Sequence, residues 1–141
     1  MIPLVIEPNA LAELLDDEPE GTEYLIVDLC RDENYQRHHI PGAVHISPSE
    51  LVSGAQPAVG KLPPIVRLEN LFSRIGYDPG KHIIAYDDEG GGWAGRFIWT
   101  LDVVGHKKSS YLNGGLIAWA DDQLPLTASA TETKETSVSL T

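Results

Sequence analysis

Asp87, Asp88 and Glu89 stand together at the end of an apolar run and are followed at once by Gly90, Gly91 and Gly92, with Trp93 and Arg96 just beyond. Side chains of this type could act as a nucleophile or general base, ligate a hard cation through oxygen, or simply form a solvated loop. The glycines suit a different ligand. They let the backbone turn tightly with its N–H groups facing inward, and the helix they open adds unpaired N–H groups and the positive end of its dipole, so the layout favours an anion. A backbone arranged for an anion therefore carries side chains that are themselves anionic. A second group of candidates lies upstream. Cys30 is the single cysteine, with Arg31 beside it to favour a thiolate and Asp28 two residues earlier. A displaced thiolate nucleophile is one reading, and a small packing residue without an evident base is the plainer one. His38 and His39 are adjacent, so they point in different directions, and with one cysteine no Cys-based cluster completes a metal site. No metal and no cofactor is expected.

The elements that would position these residues alternate in type. Leu4 to Ile6, Tyr24 to Leu29, Val44 to Ile46, Ile83 to Tyr86 and Tyr111-Leu112 read as short strands. Between them, Pro8 and Asn9 start a helix with Leu11, Leu14 and Leu15 on one face, and Asp16 to Glu20 read as a turn. Asp32 is expected to cap a short helix through Tyr35, and Pro48 to open a helical turn at Ser49-Glu50-Leu51. Gly54 to Pro64 reads as a surface connection. Ile65, Leu68, Leu71, Phe72 and Ile75 mark a helix stopped by Gly76, and Asp78-Pro79-Gly80 turns into the strand before the acidic loop. Trp93, Phe97, Leu101 and Val104 recur at helical spacing up to Gly105, and Leu116, Ile117 and Trp119 lie on a last helix entered through Gly114-Gly115. Trp99 and Trp119 are expected in the core, and Arg96 is expected to hold the loop through an ion pair with a carboxylate. This alternation indicates an α/β domain with a single open, mainly parallel sheet and helices on both faces. Ligands of such sheets sit beyond the carboxyl ends of the strands, where Asp28 to Arg31 and Asp87 to Gly92 both fall.

At 141 residues the chain is one ordinary domain, residues 1 to 127, followed by a stretch of mostly Thr, Ser, Ala and Glu, residues 128 to 141, expected to be a flexible polar tail or interdomain linker. The formal net charge of -11 and the scattering of its basic residues argue against nucleic acid and acidic lipid. No apolar run suits a membrane, and the start of the chain lacks the form of a signal peptide, so a cytoplasmic location is expected.

Three patches resemble the rhodanese family of sulfurtransferases. Ile26-Val27-Asp28 with Arg31, Tyr35 and His39-Ile40-Pro41-Gly42-Ala43-Val44 is similar to the family's amino-terminal signature. Tyr111 to Trp119 with Leu124-Pro125 is similar to its carboxyl-terminal signature, and the loop after Tyr86 is the third patch. The resemblance covers about Val5 to Thr127 and implies five parallel strands flanked by helices.

In active members of that family the loop begins with a cysteine that accepts a sulfane sulfur as a persulfide. The resemblance puts Asp87 at that position, and Asp88, Glu89, Gly91 and Gly92 where residues that hold an anionic donor would stand. A carboxylate lacks the soft nucleophile needed for a reversible sulfur–sulfur bond and would repel thiosulfate. Tyr86-Asp87, Gly90-Gly91-Gly92, Arg96 and Gly105-His106 further resemble the non-catalytic amino-terminal half of two-domain thiosulfate or mercaptopyruvate sulfurtransferases. The implied partner is a cysteine-bearing rhodanese domain in the same or another chain, and Asp28 and Arg31 are implied as a pair supporting the loop. An active sulfurtransferase using Cys30, a hydrolytic reaction at the acidic loop, and a sensor binding a ligand in the emptied loop stay open as alternatives.

Overall fold

The computed structural model describes residues 2–17, 23–55 and 60–140. Five strands form one sheet: β1 (Val5–Ile6), β2 (Tyr24–Asp28), β3 (Val44–His45), β4 (His82–Tyr86) and β5 (Ser109–Leu112), in the spatial order β1-β5-β4-β2-β3. Every pairing is parallel. Parallel neighbours require crossovers, and the helices supply them: α1 (Pro8–Asp17), α2 (Asp32–Arg37), α3 (Ile65–Arg74), α4 (Gly92–Val103) and α5 (Gly115–Asp121), with a 3-10 turn at Pro48–Leu51. The single open α/β sheet expected from the alternation of elements is the one observed.

The side-chain alternation of β2 and β4 divides the core in two. Val27, Leu29, Ile83 and Ala85 face one side, where α3 and α4 bring Leu71, Phe72, Phe97 and Leu101. Ile26, Ile84 and Tyr86 face the other, where α1 and α5 bring Leu11, Leu116 and Trp119. Both faces of the central strands are thus covered, which is why these strands read as unbroken apolar runs. Their register sets Asp28 opposite Tyr86, so the two chemical segments leave the sheet side by side.

Several boundaries differ from expectation. Asp16 and Asp17 complete α1 instead of forming a turn, and residues 18 to 20 of the expected turn lie outside the described residues, as do 56 to 59 of the Gly54 to Pro64 connection. Helix α2 continues two residues past Tyr35, and Arg31, not Asp32, takes its cap position without a side-chain bond. The Asp32 carboxylate is drawn away by the Ser47 hydroxyl, which donates to it. Trp119 is core at 1% exposure, but Trp99 is 47% exposed on the outer side of α4, with the Arg96 guanidinium 4.8 Å from its ring centre. Residues 128 to 140 contain no helix or strand. They lie against the body: Thr136 N–H donates to the Ser73 carbonyl (3.1 Å), its hydroxyl to the Tyr77 carbonyl (2.8 Å), and Leu140 N–H to a Glu69 carboxylate oxygen (2.7 Å).

At the opposite end of the sheet from the acidic loop, Tyr77 Oη donates to His106 Nδ1 (2.7 Å), while His106 Nε2 donates to the Lys108 carbonyl (3.0 Å). Burial, reinforced by the nearby Lys108 charge, lowers the His106 proton affinity from the ordinary 6.5, and burial acts the same way on His82. The unfolded chain therefore takes up protons that the folded one refuses. Stability is fully present above the unfolded value and is lost as the pH falls through about 6.5 toward the lower native values. The urea midpoint is predicted to drop between about pH 7.5 and pH 6, and His106→Gln is predicted to reduce that drop. An unchanged slope in the variant would remove His106 from this account.

Candidate functional site

The site is built where β4 ends. Asp87 is the first residue after the strand, and although charged it is 1% exposed. Its carboxylate is surrounded by backbone donors: Glu89 N–H (3.0 Å) and Gly91 N–H (2.9 Å) reach Oδ1, and Ala94 N–H (2.9 Å) reaches Oδ2. The loop can curl this tightly because Gly90 and Gly91 adopt left-handed φ values of 85° and 95°. Gly91 has a second constraint, since a Cβ there would sit 2.9 Å from the Tyr111 hydroxyl. Ala94 lies in the first turn of α4, whose cap residue, Gly91, offers no side chain. Asp87 thus performs from outside the helix the capping that an Asp or Ser at the cap would perform, and it complements the helix dipole.

The Asp87 carbonyl is also engaged, accepting the Leu116 N–H at the start of α5 (2.9 Å). That approach needs Gly115, because a Cβ there would lie 2.3 Å from the same carbonyl oxygen. The Gly114-Gly115 pair is therefore more than a turn; it lets α5 abut the loop.

The flank of the loop is tied to α2. Asn34 Nδ2 donates to Asp88 Oδ2 (2.9 Å), and Arg31 Nη2 pairs with Glu89 Oε1 at 3.2 Å. The Arg31 pair is exposed and contributes little stability by itself. Arg31 does not pair with Asp28. Asp28 is buried, accepts the Cys30 N–H (2.8 Å) and lies 4.0 Å from His45, so the expected Asp28–Arg31 pair is replaced by two separate supports of the same edge. Burial raises the Asp28 pKa, with Tyr86 and the Cys30 amide partly offsetting it. Arg96 is likewise not drawn to a loop carboxylate: its Nη2 donates to the Leu51 carbonyl (3.0 Å) and the Gly60 carbonyl (2.8 Å). It anchors the segment beside α4.

His39 is buried with its Nδ1 donating to the Tyr35 carbonyl (2.8 Å), a structural setting. Among the described residues no group of His, Cys, Asp and Glu side chains is arranged to hold a metal ion. Asn34 went unnoticed in the sequence, because nothing in its spacing signals a partner 54 residues away.

An open, all-parallel α/β sheet with a strand–glycine loop–helix cradle at the carboxyl end of its central strand defines the class. The chain belongs to the rhodanese-like domain family, whose family model matches residues 7–122. It is 47% identical over 125 residues to the thiosulfate sulfurtransferase of Azotobacter vinelandii, which covers 89% of this chain and 45% of that protein. Against the thiosulfate sulfurtransferase of Pseudomonas aeruginosa the identity is 50% over 121 residues, 86% of this chain and 43% of the relative. The crystal structure of SseA from Escherichia coli, a 3-mercaptopyruvate sulfotransferase, superposes with a TM-score of 0.79 at 28% identity, covering 94% of this chain and 53% of that one. The chain spans less than half the length of these two curated relatives and corresponds to their amino-terminal half. No helix among the described residues is long and apolar enough to cross a membrane.

Cys30 is fully buried. Burial first, then the neighbouring Asp28 and Asp88 carboxylates, push its thiol far above the ordinary cysteine range. A thiol in that state is a poor nucleophile at neutral pH. Alkylation by iodoacetamide is predicted to be slow in the folded chain and to become rapid in denaturant; fast labelling under native conditions would contradict this placement.

Proposed function

We propose that this chain is a rhodanese-like domain that does not transfer sulfur by itself and serves as the structural and interaction half beside a cysteine-bearing rhodanese domain, in the same or another chain. The observation that carries the reading is the Asp87 carboxylate, buried and holding two loop amides and one amide of the first turn of α4. By resemblance Asp87 stands where active members of the family carry the nucleophilic cysteine. A carboxylate oxygen there cannot hold a sulfane sulfur in a reversible bond, and its charge opposes an anionic donor such as thiosulfate. Its hydrogen bonds also occupy the amides that would otherwise receive an anion.

The rival readings lose support at the same residues. Sulfur transfer through Cys30 requires a thiolate that burial and two carboxylates disfavour. A sensor using an emptied loop requires free inward N–H groups, and Asp87 has engaged them. The relatives' names point to thiosulfate or 3-mercaptopyruvate as the donor class of the complete assembly, and the segment from residue 128 onward is read as the start of a linker to the catalytic domain. A buried free thiol suits a reducing, cytoplasmic setting.

The test is a thiosulfate and 3-mercaptopyruvate sulfurtransferase assay on the chain, with mass spectrometry for sulfur added to Cys30 and Cys30→Ser as control. No turnover and no added sulfur is the expected result. Turnover that disappears in Cys30→Ser would overturn the proposal and assign the chemistry to the end of β2.

A further inference from the structure

Helix α2 is unusual within this fold because none of its six residues is buried. A helix this short has little intrinsic stability, and without an apolar face in the core its position is set by the side-chain contacts that grip it. Both grips lead to functionally interesting segments. At its carboxyl end, Tyr35 is sandwiched between two imidazoles: His39 stacks on one side at 3.8 Å between ring centres, and His45 on the other at 4.6 Å. The Tyr35 hydroxyl donates to the Ala43 carbonyl (2.7 Å), and His39 Nδ1 donates to the Tyr35 carbonyl (2.8 Å). The backbone of His39 in turn exchanges two hydrogen bonds with Thr127, the residue at which the polar segment begins: His39 N–H to Thr127 carbonyl at 2.8 Å, and Thr127 N–H to His39 carbonyl at 2.9 Å. At the loop-facing end, Asn34 and Arg31 hold Asp88 and Glu89. Asn34 and Tyr35 are consecutive, so the two grips share adjacent peptide units.

The segment beyond Thr127 is the less firmly packed side of this linkage. Open clefts of about 250 Å³ and 190 Å³ run along it, each walled in part by Thr131 and Thr133. Thr131 meets the Tyr35 hydroxyl within this span, and the next backbone-to-backbone anchor is at Thr136. The segment is therefore a strap, bridged to His39 at one end and seated on α3 at the other, with a cleft-flanked span between that touches Tyr35 through Thr131.

We propose that α2 couples this strap to the acidic loop, so that seating of the strap at Thr127 fixes the position of Asp88 and Glu89. The element that both grips bias is a single short helix held by the adjacent side chains Asn34 and Tyr35, with Asp32 tied to Ser47 at its start, which gives the coupling a physical carrier. A domain or partner that pulls on the strap would thereby reset the charged rim of the loop. This coupling goes beyond the catalytic reading and stands whether or not the loop is silent.

The test is a double-substitution cycle read by amide hydrogen exchange on the full chain. Thr127→Pro removes the N–H donated to His39, and Asn34→Ala removes the bond to Asp88. Thr127→Pro is expected to speed exchange at Glu89 and Gly91 by about five-fold or more while leaving Tyr111 and Leu112 in β5 unchanged. In the Asn34→Ala background the same substitution is expected to add little, because only the weak, exposed Arg31–Glu89 pair still joins α2 to the loop. Loop exchange that ignores Thr127→Pro, or effects that multiply independently, would overturn the proposal. Should Thr127→Pro fail to fold, Tyr35→Leu breaks the sandwich between the two grips and is expected to give the same loop response, with an unchanged loop counting against it.

Discussion

The carboxylate of Asp87 is the interaction on which the rest of the site depends. Three backbone N–H groups converge on it, each bond to an ionised acceptor worth about 1.5–3 kcal/mol. One residue thereby closes the glycine loop, caps α4 and, through its carbonyl, receives the Leu116 amide in the first turn of α5. Remove the negative charge and the loop amides, held inward by the glycine conformations, would face one another around an unfilled centre. The apparent conflict between an anion-favouring backbone and an acidic loop disappears, because the anion is supplied from within.

That arrangement constrains its surroundings in turn. Gly91 must lack a side chain because Tyr111 rises from the neighbouring strand to meet it, and Gly115 because α5 closes on the Asp87 carbonyl. The parallel register sets Asp28 beside Tyr86, so that the β2 exit, with buried Cys30, forms one wall of the loop's setting and exposed α2 the other. Family membership and geometry agree here: the match spans residues 7–122, and both signature segments converge on the loop. The first reaches it through Asn34 and Arg31, the second through Gly115 and Leu116.

Much of this was legible in the sequence. The apolar runs of β2 and β4 and the helical spacing of Phe97 and Leu101 announced an α/β sheet, since burial on both faces leaves a plain hydrophobic record. The loop was located by its glycines and carboxylates. Its internal wiring was not, because the side chain of Asp87 bonds to amides whose direction depends on left-handed φ values that no residue pattern displays. For the same reason the N–H groups read as available turned out to be engaged. Arg96 and Arg31 were credible ion-pair partners by proximity in sequence, yet Arg96 finds carbonyls of the Leu51 and Gly60 segments and Arg31 finds Glu89, choices made by tertiary packing. Trp99 misled because its residue type outweighed its position: it stands off the Trp93, Phe97 and Leu101 stripe, on the outward side of α4. The segment after Thr127 reads as a flexible polar tail or linker because it has little to bury; it is held by the Thr136 amide and hydroxyl, the Leu140 amide and the partial packing of Val138 and Leu140, none of which composition reports.

The measurement that bears most directly on the internal-anion account is a formate titration of Asp87→Ala, followed by the NMR shifts and exchange rates of the Glu89, Gly91 and Ala94 amides. Formate replaces the carboxylate that the substitution deletes. The account predicts that these amides lose protection in the variant and regain it as formate fills the cradle, with no such response in the unsubstituted chain. A folded variant whose loop amides stay protected without formate, or stay unprotected at saturating formate, would contradict it.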